Sequence, residues 1–158
     1  MALDALEARV VLAARDSLRL ISPADGYRTR PQVVIGHGVQ PPQPLSAPTI
    51  YVHDAEGSQA VRIVHQPPMW EHAVRFATEV WVPGGGMGDD DSRARELGNV
   101  VGDVRRRLLR ADRTLGGVVS GSGVEEIRPQ DTDEEIARPM GSARLDFVAR
   151  VTTTEEES

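Results

Sequence analysis

The residues whose types and spacing come closest to a chemical motif lie between a β-like run and a helix-like one: Gly84, Gly85, Gly86, Met87, Gly88, Asp89, Asp90 and Asp91. Glycines ahead of a helix N-terminus can expose backbone N–H groups that cradle phosphate. Here the details fail. The chain has no GxxxxGK[ST], and Asp89 stands where the third glycine of GxGxxG belongs. Three consecutive carboxylates would repel a phosphate at that place. By type they suit calcium, but the D-x-[DN]-x-[DN]-G-x5-E spacing is missing, and consecutive acids in a strand-to-helix turn diverge. The stretch reads as a hinge or interface loop followed by an acidic helix start.

The other reactive side chains converge no better. His37, His53, His65 and His72 are scattered over loop and strand ends, with no HxxH or HExxH pair to bring two onto one helix face. His72 shares a strand face with Val74 and Phe76, the setting of a packed or rim histidine. Ser120 and Ser122 belong to SGSG, but Val118 and Ser122 stand where a GxSxG elbow centred on Ser120 needs glycines. Cysteine is absent, which excludes disulfides, thiol nucleophiles and Cys-ligated metals. The expectation is a protein that is not an enzyme, with no catalytic residue, no cofactor and no metal.

The element behind the glycine loop is the best-specified in the chain. In residues 91–117, DSRARELGNVVGDVRRRLLRADRTLGG, the apolar positions Leu97, Val101, Val104 and Leu108 step by four, three and four, one face of an α-helix. Asp89, Asp90, Asp91 and Ser92 can take the free N–H groups at its start, and arginines load its last turn before Gly116 and Gly117. Arg105, Arg106, Arg107 and Arg110 fall to the side and back of the stripe. Gly98 and Gly102 each cost about 1 kcal/mol in a helix interior. They therefore predict a close approach, either to the chain's own sheet or to a helix of a neighbouring subunit.

Composition bounds the rest. At 158 residues the chain has room for one core. With 39% hydrophobic and 27% charged residues it reads as soluble and globular. No apolar run approaches the roughly 20 residues needed to span a bilayer, and the acids in MALDALEARV do not suit a signal peptide. A net charge of −6 argues against wrapping a nucleic-acid backbone. All 18 basic residues are arginine, which fits a GC-rich coding sequence, and equally fits interfaces where the planar guanidinium pairs with carboxylates.

In chain order, residues 2–20 read as a first helix with Leu3, Leu6, Val10, Ala14 and Leu18 as its stripe, ended by Ser22-Pro23. Residues 27–35 read as a strand that starts late or lies at an edge, because Pro31 has no N–H to donate. Residues 36–48, with four prolines and two glycines, form a long loop. Residues 49–53 and 60–65 suggest a hairpin. Residues 71–82 are a strand with His72, Val74, Phe76, Thr78, Val80 and Val82 on one face. Residues 118–128 are extended, 130–140 an acidic loop or a single helical turn, and 142–153 a closing strand. The fold class is α+β: a mainly antiparallel sheet of four to six strands with two helices packed on one face. Residues 1–154 make a single domain, and 155–158 an acidic disordered tail.

This order, from the GYRTRPQVVIGHG strand through TIYVHDAEG and EHAVRFATEVWV to SARLDFVARVTT, resembles the tail terminator (tail-completion) proteins of long-tailed phages, the lambda U-protein type. The most specific piece is LLRADRTLGGVV, which is similar to that family's helix exit into a D-x-TLGG turn and a following strand. The resemblance implies a virion assembly part that caps the head-proximal end of the tail tube as a hexameric ring. Such a ring ends tube polymerisation and offers the head-joining surface. Its implied partners are further copies of itself, the major tail tube protein and a head–tail connector or stopper protein. Genomic DNA would only pass through the lumen, and no membrane is involved. The implied location is the tail and neck of the virion, assembled in the host cytoplasm. Gly84, Gly85, Gly86, Met87, Gly88, Asp89, Gly98, Gly102, Arg105 and Arg107 are the candidate contacts to neighbouring subunits or tube. Two alternatives stand beside this reading: another neck protein of the same particle, or a small enzyme or ligand-binding domain using the residue 84–91 loop.

Overall fold

The computed structural model describes residues 2–36, 47–65, 68–83, 90–120, 123–127 and 141–153. Helix α1 (Ala2–Leu18) leads through a 3-10 turn at Pro23–Asp25 to strand β1 (Gln32–Ile35). Strands β2 (Thr49–Asp54), β3 (Gln59–His65) and β4 (Pro68–Trp81) follow, then helix α2 (Asp90–Arg106) and strands β5 (Glu125–Ile127) and β6 (Ser142–Thr153). The result is the expected α+β fold, a six-stranded and mostly antiparallel sheet carrying two helices on one face.

β4 is the spine of the sheet. β6 pairs along it from Trp70 opposite Thr153 to Trp81 opposite Ser142. Its even-numbered residues from His72 to Val80 are all buried, as is Val82 just beyond it, as the alternation requires. Phe76 lies directly opposite Phe147, their ring centroids 5.3 Å apart and the rings inclined by 21°, an offset stack that adds to the area both bury. Onto this face α1 sets Leu6, Val10, Ala14 and Leu18, and α2 sets Val100, Val104 and Leu108.

The sheet departs from the expected hairpin. β2 and β3 do not pair with each other: both lie antiparallel along the same edge of β4, β2 opposite residues 76–81 and β3 opposite residues 68–73. The reason lies in the four residues between them. Ala55 N–H donates to Arg75 O, Arg75 N–H donates to the Ser58 hydroxyl, and Gly57 takes φ 102° against the Arg75 side chain. These bonds hold the interruption as a bulge in one long strand instead of a reversal. The reversal comes later, between β3 and β4. β1 is shorter than residues 27–35, starting just after Pro31, and it is an edge strand parallel to β2. α1 ends at Leu18, two residues early, and Ser22 is extended before Pro23, its hydroxyl accepting from Ala24 N–H.

α2 also ends before Gly117. After Arg106 the backbone widens into a π-helical turn over Arg107–Ala111, closed by Asp112 N–H donating to Arg107 O. A compact turn follows, in which Leu115, Gly116 and Gly117 take φ of 48°, 67° and 94°. A left-handed leucine costs about 1–2 kcal/mol. Leu115 is 3% exposed, and burying a leucine returns about 1.5–3 kcal/mol, so burial outweighs the strain. The Asp112 carboxylate accepts from Gly116 N–H and fixes the turn.

Candidate functional site

Surfaces to consider include the outer side of α2 and the sheet face that neither described helix covers. On α2 the register differs slightly from the expected stripe. Val100, Val104 and Leu108 are fully buried, whereas Leu97 and Val101 are partly buried at its margins. Between them sits Asp103, 1% exposed. Its carboxylate accepts from the Arg28 and Thr29 backbone N–H groups and from the Thr29 hydroxyl, the last at 2.6 Å. A buried carboxylate is tolerable because these donors satisfy it. Sequence reasoning passed over Asp103; the available signal was an acid inside an apolar stripe.

The candidate contact residues divide. Gly84, Gly85, Gly86, Met87, Gly88 and Asp89 lie outside the described residues, as do residues 37–46 and the side chains of Asp90 and Asp91. Gly98 is exposed and Gly102 half-buried, and a Cβ built on either meets no described atom within 4 Å. A tight seat on the chain's own sheet is therefore not what these glycines serve. Arg105 is engaged within the chain, its guanidinium spanning the Glu126 carboxylate at 2.9–3.2 Å. Arg107 donates to the Ser17 hydroxyl and lies 3.6 Å from Asp112. Arg106 instead donates to Gly26 O, with its guanidinium carbon 5.1 Å from the Tyr27 ring centroid, a cation–π geometry.

The uncovered sheet face carries charge in cross-strand order. His53 donates from Nδ1 to Asp54 O at 2.8 Å, and its Nε2 lies 3.3 Å from Glu79 Oε1. Arg144 lies 3.9 Å from Glu79 and 3.0 Å from Asp146, and Arg150 pairs with Glu71 at 3.2 Å. His53, Asp54, Arg75, Ile127, Arg144 and Asp146 border an open depression of about 520 Å³. Arg144 and Asp146 pair within its rim, and no Ser, Thr or Cys is among the described residues that border it.

His72 and Ser120 are engaged in contacts within the fold. His72 is fully buried, its Nε2 2.9 Å from the Thr153 hydroxyl, the packed histidine that its strand face predicts. The Ser120 hydroxyl donates to Arg150 O and accepts from Thr152 N–H, tying the post-helix turn to β6. His37, Ser122 and the side chain of His65 lie outside the described residues. Among the described residues no group of three His, Asp or Glu side chains could hold a metal ion. No helix among them is long and apolar enough to cross a membrane. No protein-family model matches the sequence, and a comparison with curated proteins finds no relative.

Proposed function

We propose that this chain is a tail terminator of a long-tailed phage particle, a non-enzymatic ring subunit that caps the head-proximal end of the tail tube and offers the head-joining surface. The observation that carries the reading is the D-x-TLGG turn at residues 112–117. There the helix exit is fixed by Asp112, two left-handed glycines and a left-handed Leu115 buried in the core. This is the segment in which the sequence is most similar to the terminator family, and its geometry suits the two glycines and the aspartate. Gly116 and Gly117 suit the positive φ, and the short Asp112 side chain reaches the Gly116 amide.

The surfaces are compatible with that role. A ring closes by heterologous contacts, one patch of each subunit on a different patch of the next. The exposed flank of α2 at Gly98 and Gly102 and the uncovered sheet face are two such patches. Virion location, the tube protein and a connector or stopper as partners, and passage of DNA through the lumen all belong to this proposal. The D-x-TLGG turn favours a terminator over another neck protein of the same particle. Native mass spectrometry of the purified chain should give a closed oligomer, with six copies expected. A strict monomer at high concentration, together with no binding to tail tubes, contradicts the reading. Binding to DNA-filled heads but not to isolated tubes would favour the neck alternative.

A further inference from the structure

Four arginines stand around the segment that joins α1 to β1, and each is held by a neutral acceptor. Arg19 donates to Val33 O, Arg28 to Asn99 Oδ1, Arg30 to the Ser22 hydroxyl and Arg106 to Gly26 O. All four are exposed, and among the described residues none lies within ion-pair distance of a carboxylate. The nearby Asp103 carboxylate is already occupied by backbone N–H groups and the Thr29 hydroxyl. Exposed Asp25 is the acid of the segment itself, and it leaves a positive excess. Each guanidinium keeps further N–H donors beyond the one that anchors it. The side chains are thus partly ordered in advance, which lowers the entropic cost of binding a carboxylate.

The chain supplies a matching anion. Asp131, Asp133, Glu134 and Glu135 place four carboxylates within five residues, in a chain of net charge −6. We propose that the patch formed by Arg19, Arg28, Arg30 and Arg106 is a docking surface for this acidic run of a second copy of the chain. Two observations favour a second copy over the chain's own run. β5, the strand that leads into the run, lies on the flank of α2 where Arg105 meets Glu126. The patch lies on the other flank, where Arg106 covers Tyr27. A carboxylate partner is favoured over nucleic acid by the overall negative charge, which opposes approach of a polyanionic backbone. Such a contact joins two different surfaces, so it propagates head to tail. It stands on the charge distribution alone, and its failure would leave the tail-terminator reading to the tube-binding test.

The test uses the full chain and two charge reversals, Arg28→Glu with Arg30→Glu, and Asp133→Arg with Glu134→Arg. Self-association is measured by analytical ultracentrifugation at 50 and 500 mM salt. Wild type should associate, and more weakly at high salt, because exposed charge pairs are screened. Each reversal alone should weaken association at least about tenfold, equivalent to about 1.4 kcal/mol. Mixing the two reversed variants should restore it. Should a reversal not fold, as judged by circular dichroism, Arg28→Gln with Arg30→Gln serves in its place, with the same loss expected. The proposal is overturned if the reversals associate as wild type does, or if wild type is monomeric at both salts. It is also overturned if the acidic-run reversal lowers only the melting temperature of a monomer, the mark of a contact within one chain. Binding of duplex DNA that is lost with Arg28 and Arg30 would overturn it in favour of a nucleic-acid site.

Discussion

The Asp103 carboxylate lies 2.6 Å from the Thr29 hydroxyl and 2.8 Å from the Thr29 backbone N–H, fastening the α1–β1 connection onto the buried side of α2. Arg28 N–H adds a third donor, so a single acid satisfies the backbone where the connection passes beneath the helix. The sheet, α2 and the segment bearing the arginine patch are thereby held as one unit. Asp103→Ala should strand these donors in a site 1% exposed. Leaving buried partners unsatisfied costs about 1–3 kcal/mol per group, so a loss of at least about 2 kcal/mol in chemical denaturation is expected. Asp103→Asn, which keeps one acceptor oxygen, should lose less. Equal loss in both variants would mean that the charge, and not the hydrogen bonding, holds the connection.

Gly98 and Gly102 separate the stability of the subunit from the assembly. Neither has a positive φ, and an added Cβ meets no described atom within 4 Å. Alanine at either site should raise subunit stability by about 0.5–1 kcal/mol through helix propensity. If a neighbouring subunit seats against this flank, the same variants should weaken oligomer formation while raising the melting temperature of the dissociated chain. A destabilised subunit would show that the glycines do serve an internal contact.

At Gly123 the opposite holds. Its φ is 85°, and a Cβ there would stand 2.6 Å from Arg113 O, a backbone atom. Arg113 O also accepts from Val124 N–H, and Arg113 Nε donates to Val124 O, so the two segments cannot easily separate. Gly123→Ala should cost more than about 2 kcal/mol, combining left-handed strain with the clash. A change below about 0.5 kcal/mol in urea denaturation would contradict this geometry.

The Arg105–Glu126 pair should matter much less. The geometry is bidentate, but the Arg105 side chain is 48% exposed, and solvent screens such pairs to about 1 kcal/mol or below. Glu126→Gln should therefore lower stability by no more than that, with the effect shrinking at 500 mM salt. Retention of the full effect at high salt would indicate a role in packing.

Much of this architecture is legible in the sequence because one period dominates each element. β6 alternates from Ala143 to Val151 with only Val148 out of pattern, and the even positions from His72 to Val80 mark the buried face of β4, so both strands can be read directly. Strand pairing cannot be read in the same way. Residues 54–58 carry turn-forming types whether the chain reverses or bulges, and only the Ala55–Arg75 and Ser58–Arg75 hydrogen bonds decide the matter. The stripe on α2 holds at Val104 and Leu108 but omits Val100, because Val100 and Val101 are both apolar and the helix fully buries the first and half-buries the second. The arginines show the same limit. Arg105, Arg106 and Arg107 are identical in type and adjacent, yet Arg105 meets Glu126, Arg107 meets Asp112, and Arg106 lies over Tyr27 with no carboxylate partner among the described residues. Their different surroundings come from elements distant in sequence, which no local pattern contains.

The most direct test of the central claim is tube growth itself. Purified chain is added to the tail tube protein of the same particle while it polymerises, and tube ends and lengths are scored by negative-stain electron microscopy. The account predicts a ring on one end of each tube, elongation halted at that end, and no effect of a variant that cannot self-associate. Tubes that grow to the same lengths with bare ends in excess chain would contradict it.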